Sequence, residues 1–92
     1  MYSICRTSRY RKDLKTIAHD KKLVDEVGNV VALLSENDFP LPEKYQDHHL
    51  KGRFAEFREC HVRPNWLLVY KKTKEDLILA LIRTGTHSEI FK

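Results

Sequence analysis

The sequence predicts an α+β domain in the order β-α-α-β-β-β, with an antiparallel helical hairpin packed on a small twisted antiparallel sheet. Three observations carry that reading. Between residues 10 and 34 apolar side chains recur every three or four positions, the period of a helix with one buried face. Phe39-Pro40-Leu41-Pro42 closes this region, because prolines cannot continue a helix and favour an extended path. Beyond it the apolar residues gather in short runs separated by turn residues, as strands do.

Residues 2–6 read as an opening strand, followed by Thr7 and Ser8, whose hydroxyls suit a helix N-terminus. In the first helix Tyr10, Leu14, Ile17 and Ala18 form the apolar stripe, and Arg9, Arg11, Lys12 and Lys15 occupy the other face. The stripe loses phase at 20–22, which predicts a tight turn. It resumes with Leu23, Val27, Val30, Val31 and Leu34. Gly28 weakens that second helix by up to ~1 kcal/mol relative to Ala. A loop is expected from the prolines to about Gly52, long enough in so small a chain to suggest a functional role.

The remainder reads as an antiparallel meander. Residues 54–62 make a strand of imperfect alternation, since Phe54 and Phe57 fall on opposite parities. Arg63-Pro64-Asn65 is a turn. Residues 66–70 and 77–82 are near-continuous apolar runs, expected for strands covered on both faces, and 72–76 joins them as a hairpin. Gly85-Thr86 breaks the last strand and leaves 87–91 as a short tail or helical turn.

At 92 residues the chain is read as one domain spanning 1–92, with 41 % hydrophobic and 33 % charged residues, which argues against disorder. No apolar run nears the ~18 residues of a membrane span, and the N-terminus lacks a signal-peptide layout, so a cytoplasmic location is expected. Cys5 and Cys60 are expected as free thiols. The net charge of +4 permits a nucleic-acid partner without demanding one.

Histidine is the informative residue type. Of five histidines, His19 sits among charged residues near a helix end and reads as solvated. His48, His49, His61 and His87 all lie beside turns of the back half, where antiparallel strands could gather them at one sheet edge. A zinc site using Cys60 and His61 is disfavoured, because adjacent strand residues point to opposite faces and no CxxC or HxxxH spacing is present. No metal and no cofactor are therefore expected. Cleavage of RNA fits the composition better. RNA carries its own nucleophile in the 2′-hydroxyl, and imidazoles serve as base and acid near neutral pH. Lys51, Arg53, Arg58, Arg63 and Arg83 are candidates to hold the phosphate, the arginines in bidentate fashion.

From Phe39 onward a series of motifs stands in fixed order: Phe39-Pro40-Leu41-Pro42, Tyr45-Gln46-Asp47-His48, Leu50-Lys51-Gly52, Phe57-Arg58, His61-Val62-Arg63-Pro64-Asn65-Trp66, Tyr70, and Arg83-Thr84-Gly85-Thr86-His87. Over residues 39–91 this series resembles the YafQ branch of the RelE/ParE toxin superfamily. The resemblance implies a ribosome-dependent endoribonuclease that cuts mRNA and arrests growth. It also implies a cognate antitoxin as partner, with operator DNA engaged only through that antitoxin, and no membrane association. Carried over residue by residue, it makes His48, His61 and His87 catalytic, with His49 in a variable slot. His87 and one of His48 or His61 would act as acid and base. Trp66 and Phe91 would stack on bases or close the site, with plain packing an equal reading for Trp66. Asn65 stands where the family pattern has an aspartate; an amide can orient a histidine or the RNA but cannot act as a base. Two other functions fit the same scaffold: binding of DNA gyrase in the ParE manner, and a non-catalytic interaction module.

Overall fold

The computed structural model describes residues 1–38 and 40–91; Phe39, the first residue of the Phe-Pro-Leu-Pro segment, lies outside the described residues. Strand β1 (Ser3–Arg6) leads into helices α1 (Ser8–Thr16) and α2 (Lys21–Glu36). Two single 3-10 turns, Glu43–Tyr45 and Gly52–Phe54, flank the two-residue strand β2 (His48–His49). Strands β3 (Arg58–Arg63), β4 (Trp66–Thr73) and β5 (Ile78–Gly85) follow, and a one-turn helix α3 (His87–Ile90) ends the fold. The strands form one sheet in the order β1-β5-β4-β3-β2.

The helices start where their side chains can satisfy free backbone amides. Thr7 caps α1 by accepting from the Tyr10 amide, and its hydroxyl also donates to the Leu81 carbonyl at 2.8 Å. Asp20 caps α2 by accepting from the Leu23 amide at 3.1 Å. The expected stripe of α2 is buried throughout: Leu23, Val27, Val30, Val31 and Leu34. On α1 Tyr10 and Ile17 are buried, whereas Ala18 is exposed. These residues share one core with Cys60, Leu68, Tyr70, Leu79 and Leu81 from one face of the sheet. Each fully buried Leu or Val contributes roughly 1.5–3 kcal/mol.

Three expectations are corrected. The sheet is mixed rather than antiparallel, because β1 pairs with β5 in parallel register, Ser3 opposite Ile78 through Arg6 opposite Leu81. A parallel neighbour needs a crossover, and here the chain runs through both helices and then β2, β3 and β4 before β5 lies beside β1. The β3 strand begins at Arg58, not at Phe54, which sits in a 3-10 turn. The clash of parities between Phe54 and Phe57 thus came from residues that are not in a strand. Only β4 is covered on both faces, with Leu67 through Tyr70 all buried; in β5 Ile78 is exposed and Ile82 half-buried. Register shifts lie between His61 and Arg63 in the β3–β4 pair and between Val69 and Tyr70 in the β4–β5 pair.

Candidate active site

Alternation along β3 sorts its side chains by face. Cys60 belongs to the core under the helices, so Glu59 and His61 occupy positions on the opposite face. His48 on β2 is the register partner of Glu59, which in turn pairs with Val69 on β4. The chain returns to this region after β5. Gly85 is buried, and a Cβ there would stand 3.3 Å from Glu89 Oε1 and 3.6 Å from Ile90 Cγ1, so α3 lies directly against it. Thr86 caps α3 by accepting from the Glu89 amide, while the Glu89 carboxylate accepts from the Thr86 amide at 2.9 Å. That reciprocal box fixes a helix too short to stand on its own hydrogen bonds. The amide and hydroxyl of Thr86 hold the Glu89 carboxyl below the usual carboxylate range.

The result is a depression of about 310 Å³ lined by His48, Lys51, Phe54, Glu59, His87 and Phe91. His48 is half exposed, and its Nε2 lies 3.3 Å from Glu59 Oε2. Its Nδ1 lies 2.6 Å from the Gln46 carbonyl oxygen, an acceptor, so Nδ1 carries the proton of that bond. His87 is exposed, and its ring centroid lies 5.0 Å from that of Phe91. Phe91 in turn meets the edge of Phe54 at 5.5 Å, and the Arg53 guanidinium stands 5.0 Å over the Phe54 ring.

His48, Lys51, His87 and Phe91 are therefore brought together. His61 stands two residues beyond Glu59 and lines a neighbouring depression of about 340 Å³ with Tyr45 and Gln46. Its Nδ1 is 3.2 Å from the Pro64 carbonyl oxygen. Gln46 links the two depressions, since it lines the second and bonds His48 of the first. Asn65 is exposed at the β3–β4 turn.

Other expected residues have partners inside the protein. Arg58 is bound by Asp47, with Nε 3.1 Å from Oδ1, and by Tyr70 at 3.2 Å. Burial opposes the Arg58 cation, but Tyr70 and Asp47 outweigh it and raise its pKa. Arg83 is held by Asp13 on α1 at 2.8 Å, and Arg63 pairs with Glu26 on α2. Trp66 packs against the core, and its Nε1 donates to Thr84 Oγ1 at 2.8 Å. These geometries favour structural roles for Arg58, Arg63, Arg83 and Trp66 over contact with phosphate or base. Lys51 and Arg53 remain exposed beside the depression. The residue that sequence reasoning missed is Glu59. Its only signal was an acidic residue beside a buried cysteine, and its meaning emerges once β2 pairs with β3.

Two helices on one face of a small sheet, and a histidine-lined depression on the other, match the fold and site that the resemblance to the RelE/ParE toxins implies. Comparison with known proteins narrows that class. The family described as "Bacterial toxin of type II toxin-antitoxin system, YafQ" matches residues 2–92. The chain is 39 % identical over 85 residues to the mRNA interferase toxin YafQ of Escherichia coli K12, covering 92 % of this chain and 90 % of that protein. The crystal structure of YafQ from E. coli BL21(DE3) superposes with a TM-score of 0.88 at 34 % identity, each chain fully covered. YafQ in the E. coli DinJ-YafQ complex superposes with a TM-score of 0.86 at 35 % identity over both full lengths. A metal-bound toxin from Helicobacter pylori matches with a TM-score of 0.83 at 42 % identity, covering 99 % of this chain and 100 % of that one. This chain belongs to the YafQ family of bacterial type II toxins. Among its described residues no three His, Cys, Asp or Glu side chains converge as ion ligands.

Proposed function

We propose that this chain is an mRNA interferase that cuts ribosome-bound message by directing the RNA's own 2′-hydroxyl against the adjacent phosphate. The observation that carries the reading is the meeting of His48 and His87, from distant parts of the chain, in one depression with Lys51 and Phe91. One imidazole removes the 2′-hydroxyl proton and another protonates the leaving 5′-oxygen. His87 takes one of these parts, and His48 or His61 takes the other. Lys51 and Arg53 neutralise the phosphate, and Phe91 stacks on a base beside the cut. Asn65 orients a histidine or the RNA by hydrogen bonding, not by proton transfer.

The E. coli DinJ-YafQ toxin-antitoxin complex supports an antitoxin partner; the operator and the ribosome enter the reading with the family resemblance. A cognate antitoxin neutralises the chain, and operator DNA is reached only through that antitoxin. The ribosome presents the message. No helix among the described residues is long and apolar enough to cross a membrane.

The test is cleavage of a defined mRNA by the purified chain, with and without ribosomes. Cutting is expected with ribosomes, and His87→Ala should slow it by roughly 10²–10⁴-fold. Intact message beside inhibition of DNA gyrase supercoiling would contradict the reading and favour the gyrase-binding mode.

A further inference from the structure

Among the described residues Glu59 is the one carboxylate lining the depression, and the proton transfers between the histidines and the RNA do not involve it. The residue is 7 % exposed, and its Oε1 is buried with no hydrogen-bond partner among the described residues. A buried carboxylate left short of donors is costly unless a positive charge stands beside it. The groups around it are Val69 across β4, His48 across β2, and Lys51, His87 and Phe91 lining the same depression. Of these, His48 is the one in ion-pair range, with Nε2 3.3 Å from Oε2. The Gln46 carbonyl holds the other ring nitrogen as a donor, which leaves Nε2 as the basic atom of the imidazole.

We propose that Glu59 is a positioning residue for cleavage: its carboxylate compensates the positive charge that His48 acquires when Nε2 takes the 2′-hydroxyl proton. The proposal rests on the histidine-catalysed reading above and assigns its base. In the step the O2′–H bond breaks and its proton passes to His48 Nε2. The O2′–P bond forms, the P–O5′ bond breaks, and the leaving O5′ takes a proton from His87. The products are a 2′,3′-cyclic phosphate and a 5′-hydroxyl, with His48 protonated and His87 deprotonated. The imidazolium formed at Nε2 then faces a carboxylate whose own charge had lacked a partner. Asn65, an amide, cannot supply that charge; Glu59 supplies it from within β3.

The experiment measures kcat and KM on ribosome-bound mRNA for wild type, Glu59→Gln, Glu59→Asp, His48→Ala and the His48→Ala/Glu59→Gln double variant. Glu59→Gln keeps the shape and removes the charge. It should lower kcat about 10²-fold while KM changes less than twofold. Glu59→Asp should recover part of the rate, and the double variant should be no slower than His48→Ala alone. Full activity of Glu59→Gln beside a slow His48→Ala would overturn the proposal and leave the histidine reading standing. Losses that multiply in the double variant would overturn it as well, because they would show Glu59 acting through packing rather than through His48. A fully active His48→Ala would overturn the base assignment itself, and the role of Glu59 with it.

Discussion

Asp47 accepts hydrogen bonds from Arg58 Nε, the Tyr70 hydroxyl and the Leu41 amide, while only 1 % of its side chain is exposed. One carboxylate thereby ties the loop to β3 and β4 immediately before His48. Asp47 keeps Arg58 and Leu41 without the tyrosine, so Tyr70→Phe should cost what one hydrogen bond to a charged group contributes, about 1.5–3 kcal/mol, read from urea unfolding. The same tyrosine sets an alkaline limit. Burial, then the bond to Asp47, raises the Tyr70 pKa well above its ordinary 10.0, and burial likewise raises Cys60 well above 9.0. Both groups hold their protons more tightly folded than unfolded. Their contribution is complete below the ordinary values and is lost as pH climbs past them. Stability should be level to about pH 9 and then fall, and Tyr70→Phe should flatten the part of the fall above pH 10. A wild-type curve without that fall would contradict the account. Arg58 was an expected phosphate ligand because exposed arginines commonly serve that way. The sequence could not show that Asp47, eleven residues earlier, would claim it, since that contact depends on how β3 and β4 align.

At the scale of elements, the helices were legible because their stripes are local. Every apolar position named on α2 is buried, and Thr7 caps α1 as its hydroxyl suggested. The parallel place of β1 was not legible, because its partner β5 enters late in the chain and pairing carries no local mark. The loop hid two 3-10 turns and β2 for the same reason: three residues or fewer show no periodicity. Two predictions belong here. Leu77, at the turn before β5, is exposed with φ of +52°, a conformation disfavoured for a branched side chain. Leu77→Asn should stabilise the hairpin by about 0.5–1 kcal/mol, checked by a higher urea midpoint at unchanged slope. Helix α3 depends on its capping box, so Thr86→Ala should cost about 1 kcal/mol locally and slow cleavage through a frayed His87. Faster amide exchange at Ile90 and Phe91 would report that fraying. In wild type the protection of these amides, taken relative to their intrinsic exchange at each pH, should fall in acid, because the lowered Glu89 pKa means its contribution is lost as pH falls through that value.

For the whole molecule, the site was legible as a set of residues but not as an arrangement. Histidines at turns, together with the family motifs, pointed to His48, His61 and His87, and two of the three share a depression. Faces and edges decide which residues meet, and those follow from the register of β2, β3 and β4. Hence His61 lies next door, Trp66 packs on the core, and Glu59 enters unannounced. The net charge of +4 adds a global expectation. Association with ribosomes should weaken steeply with added salt as counterions compete for the RNA phosphates. A flat response, measured by co-sedimentation over a salt series, would mark the basic surface as merely solvated.

The central claim is that the RNA supplies the nucleophile and the protein supplies only proton transfer and charge. It is tested most directly by placing a single 2′-deoxynucleotide immediately 5′ of the cut in a ribosome-bound message. The account predicts that this message survives intact while the all-ribose control is cut to a 2′,3′-cyclic phosphate and a 5′-hydroxyl. Cleavage of the deoxy-substituted message at the control rate would contradict it.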